Sequence, residues 1–109
     1  MDEVSFEKSS GNVFADMGFS SAEAEELTLK SALIDAIGAT MKARALTQKA
    51  AAELCNTDQP TLSKVLRGRM ESVTIDRLAA WLMALGRTIE IRVRPYDRTA
   101  TTGHLILSP

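Results

Sequence analysis

The stretch Leu46–Gly68, LTQKAAAELCNTDQPTLSKVLRG, decides the fold. Thr47 is placed to cap a short helix over Gln48–Cys55, whose alanines allow a neighbour to approach closely. Asn56-Thr57 makes a tight turn, because asparagine tolerates the left-handed backbone conformation that most residues resist. Asp58 then caps a further helix, with Pro60 in the first turn where its missing N–H costs nothing. That helix runs to Arg67 and stops at Gly68. Two short helices joined in this way form a helix-turn-helix, and the small side chain needed where they cross is Ala52. Ala51, Cys55, Leu62 and Val65 fall on the inward faces, while Gln59, Pro60, Ser63, Lys64 and Arg67 face outward from the second helix. The outward set suits a DNA major groove, where amides pair with adenine and lysine reaches guanine acceptors.

Working outward, Ser20 and Glu23 have capping-box spacing and open one long amphipathic helix over residues 21–44. Leu27, Ile34, Ile37 and Met41 recur there at helical spacing with Leu33 beside them. Beyond the motif, Thr74 caps a fourth helix with the stripe Ile75, Leu78, Ala79, Leu82 and Leu85, ended by Gly86. Trp81 falls beside that stripe and is expected at an interface. Ile89, Ile91 and Val93 then alternate with Glu90, Arg92 and Arg94, which predicts a half-buried strand stopped by Pro95. A lone strand leaves its backbone unpaired, so it must join His104–Leu107 or its own copy across a dimer axis. Before the long helix, Val13, Phe14, Met17 and Phe19 crowd together and can dock one helical turn. The chain therefore divides into an N-terminal segment (1–20) with partial disorder, a helix-turn-helix domain with its dimerisation strand (21–95), and a tail (96–109).

Composition agrees with a single domain. The chain has 109 residues, of which 45% are hydrophobic and 25% charged, in the range of globular proteins. The one cysteine, Cys55, rules out a disulfide framework and a multi-cysteine zinc site, and is expected in the core. No apolar run approaches the ~20 residues that span a bilayer, and no signal-peptide pattern opens the chain, so a cytoplasmic setting without a membrane is expected. His104 stands alone and Glu25-Glu26 point in neighbouring directions on an exposed helix, so no catalytic constellation emerges. Enzyme activity, a metal and a cofactor are not expected. The net charge of -1 hides a division: residues 1–40 hold eight acids and two bases, whereas residues 41–70 hold six bases and two acids. Such a split suits one surface facing a polyanion and another facing a different partner.

Residues 46–66 resemble the Xre/Cro-like repressor family in their L-T-Q, alanines, tight turn and Q-x-x-[LIV]-S pattern. SGNVFADMGF (10–19), the long helix and RLAAWLMALGRTIEIRV (77–93) are similar to the HigA-type antitoxin branch of that family. Ala45 stands where a glycine is common, Asn56 where the motif prefers glycine, and Asp58 where serine often caps. The resemblance implies an all-α, lambda-repressor-like DNA-binding domain of four to five helices with a short C-terminal β-strand. It implies base contacts from Gln59, Pro60, Ser63 and Lys64, and phosphate contacts from Thr47, Gln48, Lys49, Arg67 and Arg69. Gln48 would also buttress Gln59, and the helix N-termini at Gln48 and Gln59 would add backbone donors. The implied molecule is a homodimer joined through Ile89, Ile91 and Val93, meeting the half-sites of a palindromic operator roughly 34 Å apart. The implied function is a repressor and antitoxin that controls its own operon and neutralises a small basic RelE-like ribonuclease toxin. A stand-alone regulator, or a protein-binding module with DNA binding secondary, are the alternatives.

Overall fold

A computed structural model describes residues 18, 20–100 and 102–108. Four α-helices and one short 3-10 turn follow in order: α1 (Ser21–Ala43), α2 (Gln48–Leu54), α3 (Gln59–Leu66), the turn Met70–Ser72, and α4 (Ile75–Ala84). The architecture is all-α.

Each helix begins with a side-chain cap. Ser20 and Glu23 form the reciprocal capping box of α1, and Thr47, Asp58 and Thr74 accept from the third backbone N–H of α2, α3 and α4. Each helix also ends the same way, with one residue of positive φ and two backbone hydrogen bonds returning to the last turn. At α2 these run from Asn56 N–H to the Glu53 carbonyl (3.2 Å) and from Thr57 N–H to the Ala52 carbonyl (2.9 Å). At these four helix ends the positive-φ residues are Ala45, Asn56, Gly68 and Gly86, so two of the four turns are made without glycine.

The long α1 lies against α4, α2 packs on α3, and α1 also meets α3 and the 3-10 turn. Their shared core contains Ile37, Leu62, Val65, Leu78 and Leu85, all essentially inaccessible. Ala51 and Ala52 are buried where the two motif helices meet, and Cys55 is buried beside them with its Sγ 3.7 Å from the Trp81 carbonyl. Leu27 is only half-buried.

Two sequence expectations are corrected. Trp81 is 2% exposed and belongs to the core, because the buried stripe of α4 runs through residues 78, 81, 82 and 85 rather than through Ile75 and Ala79, which are half-buried. The segment 88–95 contains no strand, nor does any other part of the described residues. His104–Leu107 does not supply a ladder: His104 Nδ1 pairs with Glu25 Oε2 at 2.9 Å and the Leu105 N–H donates to Glu25 Oε1 at 2.6 Å, tying this segment to α1. Burial of Glu25 raises its pKa, but the hydrogen bonds from His104 and Leu105 outweigh this and hold it below the ordinary value. Ile89 packs against the core, while Ile91 and Val93 are 89% and 90% exposed. The docked turn expected from Val13, Phe14, Met17 and Phe19 lies outside the described residues.

Candidate nucleic-acid interface

The candidate interface is built on α3. Leu62 and Val65 anchor its inner face, which fixes the rotation of the helix about its own axis. Gln59, Pro60, Lys64 and Arg67 then lie on the outer face and are exposed, with Ser63 half-buried between them. These positions are separated by one, four, five and eight residues from Gln59, the spacing of a single helical face. Thr47, Lys49 and Arg69 are exposed and Gln48 half-buried. Gln48 and Gln59 are not hydrogen-bonded to each other among the described residues, so the expected buttress is not formed in this chain alone.

The N-terminus of α3 differs from expectation. Pro60 has no N–H, the Thr61 N–H is taken by Asp58 Oδ1 at 2.7 Å, and the Leu62 N–H donates to the Asp58 carbonyl at 3.1 Å. The Thr61 hydrogen bond, helped by the Lys64 ammonium, holds the Asp58 carboxyl below its ordinary range, so a negative charge persists at this end. Backbone donors at this helix end are thus largely used up, which leaves its exposed side chains as the groups open to a ligand. At α2 the Thr47 hydroxyl accepts from the Ala50 N–H at 3.0 Å, and its own proton stays free to donate.

A residue that the sequence did not single out supports the basic end of the interface. Lys30 on α1 is 7% exposed; its Nζ donates to the Met70 carbonyl at 3.2 Å and pairs with Glu26 Oε2 at 3.2 Å. Met70 follows Arg69, so Lys30 pins the turn that carries that guanidinium. The available signal was position: Lys30 lies on the same helical face as Leu33, Ile34, Ile37 and Met41. Arg44 makes a comparable tie, donating from Nη1 to the Leu85 carbonyl at 2.8 Å and satisfying the C-terminal end of α4.

No group of His, Cys, Asp and Glu able to hold a metal occurs among the described residues, and none of their helices is long and apolar enough to cross a membrane. A family model for a helix-turn-helix domain matches residues 13–94. A solved structure named "Putative XRE Family Transcriptional Regulator" is similar at 29% identity and a TM-score of 0.72, over 80% of this chain and 98% of that one. No curated protein matches.

Proposed function

Because the chain belongs to the helix-turn-helix domain family, we propose that it is a sequence-specific DNA-binding transcriptional regulator, a repressor, whose α3 enters the major groove. The observation that carries this reading is the two-sidedness of α3: Leu62 and Val65 are sealed inside while Gln59, Pro60, Lys64 and Arg67 stand open. In this reading Gln59, Pro60, Ser63 and Lys64 meet base edges, and Thr47, Gln48, Lys49, Arg67 and Arg69 hold phosphates that set the register. One such helix reads few bases, so two copies act together, joined through Ile89, Ile91 and Val93. The likeness to a protein named as an XRE family regulator supports the same conclusion.

The test is a titration of the DNA flanking its own gene at two or more salt concentrations. Gln59→Ala costs about 1–3 kcal/mol at particular base pairs, and Arg69→Ala, which removes one phosphate contact from each of the two copies, weakens binding to all sequences while reducing the salt slope by roughly 1.8. If Gln59→Ala leaves every operator base equally discriminated, α3 is not the reading helix.

The acidic half of the chain favours a second activity, that of an antitoxin. Residues 1–40 hold eight acids against two bases, a charge balance suited to a small basic RelE-like ribonuclease. Co-expression with the product of the adjacent gene should yield a stable complex that loses ribonuclease activity. A neighbour of unrelated chemistry, or no complex, leaves the stand-alone regulator.

A further inference from the structure

We propose that the cleft where α1 and α4 meet the two extended C-terminal segments binds a small organic acid, a molecule with one carboxylate on a compact apolar chain or ring. The volume of the cleft is about 390 Å³, at the lower end of the range of small-molecule sites. The buried Leu33 and Ala36 of α1 and Leu82 of α4 form its floor. Residues from the segments 87–94 and 106–108 complete the lining.

Alternation along 90–94 decides what the cleft presents. Arg92 and Arg94 line it together with Glu90, whereas Ile91 and Val93 do not and stand 89% and 90% exposed to solvent. A segment that only packed against the body would do the reverse, covering its isoleucine and valine and leaving its guanidiniums in water. Arg87 adds a third guanidinium, so the lining holds three bases against one acid. Among the described residues Arg92 and Arg94 pair with no carboxylate, that of Glu90 included. Two guanidinium forks without an acidic partner call for a carboxylate, which each can hold by paired hydrogen bonds.

The second segment is tied down where it enters the cleft. The Leu105 N–H donates to Glu25 Oε1 at 2.6 Å, His104 Nδ1 pairs with Glu25 Oε2 at 2.9 Å, and Leu107 packs against the core. Ile89, Ile106 and Leu107 thereby bring apolar surface that solvent still reaches into the same recess as the arginines. That combination selects the occupant. Inorganic phosphate leaves the apolar part unfilled, and a nucleic-acid backbone is a charged rod with no apolar group to insert there. An acid with an apolar body satisfies both parts.

The experiment is isothermal titration calorimetry of the full chain with octanoate, beside 1-octanol, octylamine and inorganic phosphate, with far-UV circular dichroism to verify the helices of each variant. Octanoate should bind at one site per chain, and the three comparison probes about tenfold more weakly or less. Arg92→Gln combined with Arg94→Gln, both at exposed positions, should raise the octanoate Kd by about tenfold. Glu25→Ala is a test of sign. Losing a carboxylate would by charge alone tighten the binding of an anion, so a raised Kd reports loss of the tied segment. No saturable heat with octanoate, equal binding of 1-octanol or phosphate, or an arginine variant that binds as before overturns the proposal. Tighter binding by Glu25→Ala overturns a site built with the segment 104–108. Displacement of octanoate by a DNA duplex assigns the cleft to nucleic acid and overturns it too. Octanoate binding with this pattern in a chain that binds no operator counts against the DNA reading and leaves the acid site standing.

Discussion

Replacing Ala45 by glycine should make this protein more stable, although it deletes a side chain. Ala45 has φ 54 at the end of α1, where its N–H donates to the Lys42 carbonyl at 3.1 Å and the Leu46 N–H donates to the Met41 carbonyl at 2.9 Å. An L-residue in this left-handed conformation costs about 1–2 kcal/mol, because Cβ crowds the following carbonyl. Glycine removes that cost but frees the unfolded chain by about 0.4–1 kcal/mol of conformational entropy. The Ala45 methyl is exposed, so nothing is lost from the core. The balance is a gain of about 0.5–1 kcal/mol, a rise in Tm of roughly 2–4 °C for a chain of this size. Thermal unfolding followed by far-UV circular dichroism measures it. Gly68→Ala is the mirror experiment: φ is 101 and no neighbour lies within 4 Å of an added Cβ, so it should lower stability by conformation alone. A fall in Tm for Ala45→Gly, or no change for Gly68→Ala, would refute the reasoning.

Three further outcomes are expected. Ala52→Leu, at a residue 2% exposed where α2 crosses α3, should cost about 1–3 kcal/mol in urea unfolding by overfilling the contact. Asp58 caps α3 more strongly while ionised, and its pKa is lowered by the Thr61 hydrogen bond; the extra contribution of the charge is present above the unfolded value near 3.8 and lost as pH falls through the lowered folded value. The Tm of Asp58→Asn should therefore lack that part of the acid dependence seen in the parent protein. Lys30→Met keeps the aliphatic stem but removes the donor to the Met70 carbonyl, and should destabilise by about 1–2 kcal/mol in the same urea assay.

The features that could be read from the sequence are those decided within a few residues. A capping residue and the amide it serves lie three positions apart, so Ser20, Thr47, Asp58 and Thr74 declared the helix starts. Asn56 declared the turn by the same locality, and the inward set Ala51, Cys55, Leu62 and Val65 is buried as its spacing required. What was misread depends on partners far away in the chain. Trp81 is the exception: with Leu78, Leu82 and Leu85 it makes one regular helical face, which a stripe drawn through Ile75 and Ala79 misplaced. Lys30 looks like a solvated lysine until Met70, forty residues on, presents a carbonyl to it. The alternation in Ile89–Val93 reports a side-chain preference for a pleated, half-buried surface, and that preference cannot by itself provide the second backbone that a ladder needs. At the interface, the outer face of α3 followed from its buried face, whereas the use of the Thr61 and Leu62 amides by Asp58 was a matter of hydrogen-bond accounting.

Cys55 offers a native clock for opening of the fold. Its thiol is shut away beneath α4, and burial pushes its pKa up, so both access and ionisation slow its reaction with an alkylating reagent. Alkylation must wait until the helices part. Pulse labelling of this single sulfur, weighed by intact mass, would count the fraction of molecules open at any moment without denaturant or dye, and repeating the pulse with an operator bound would show whether the ligand holds the domain shut.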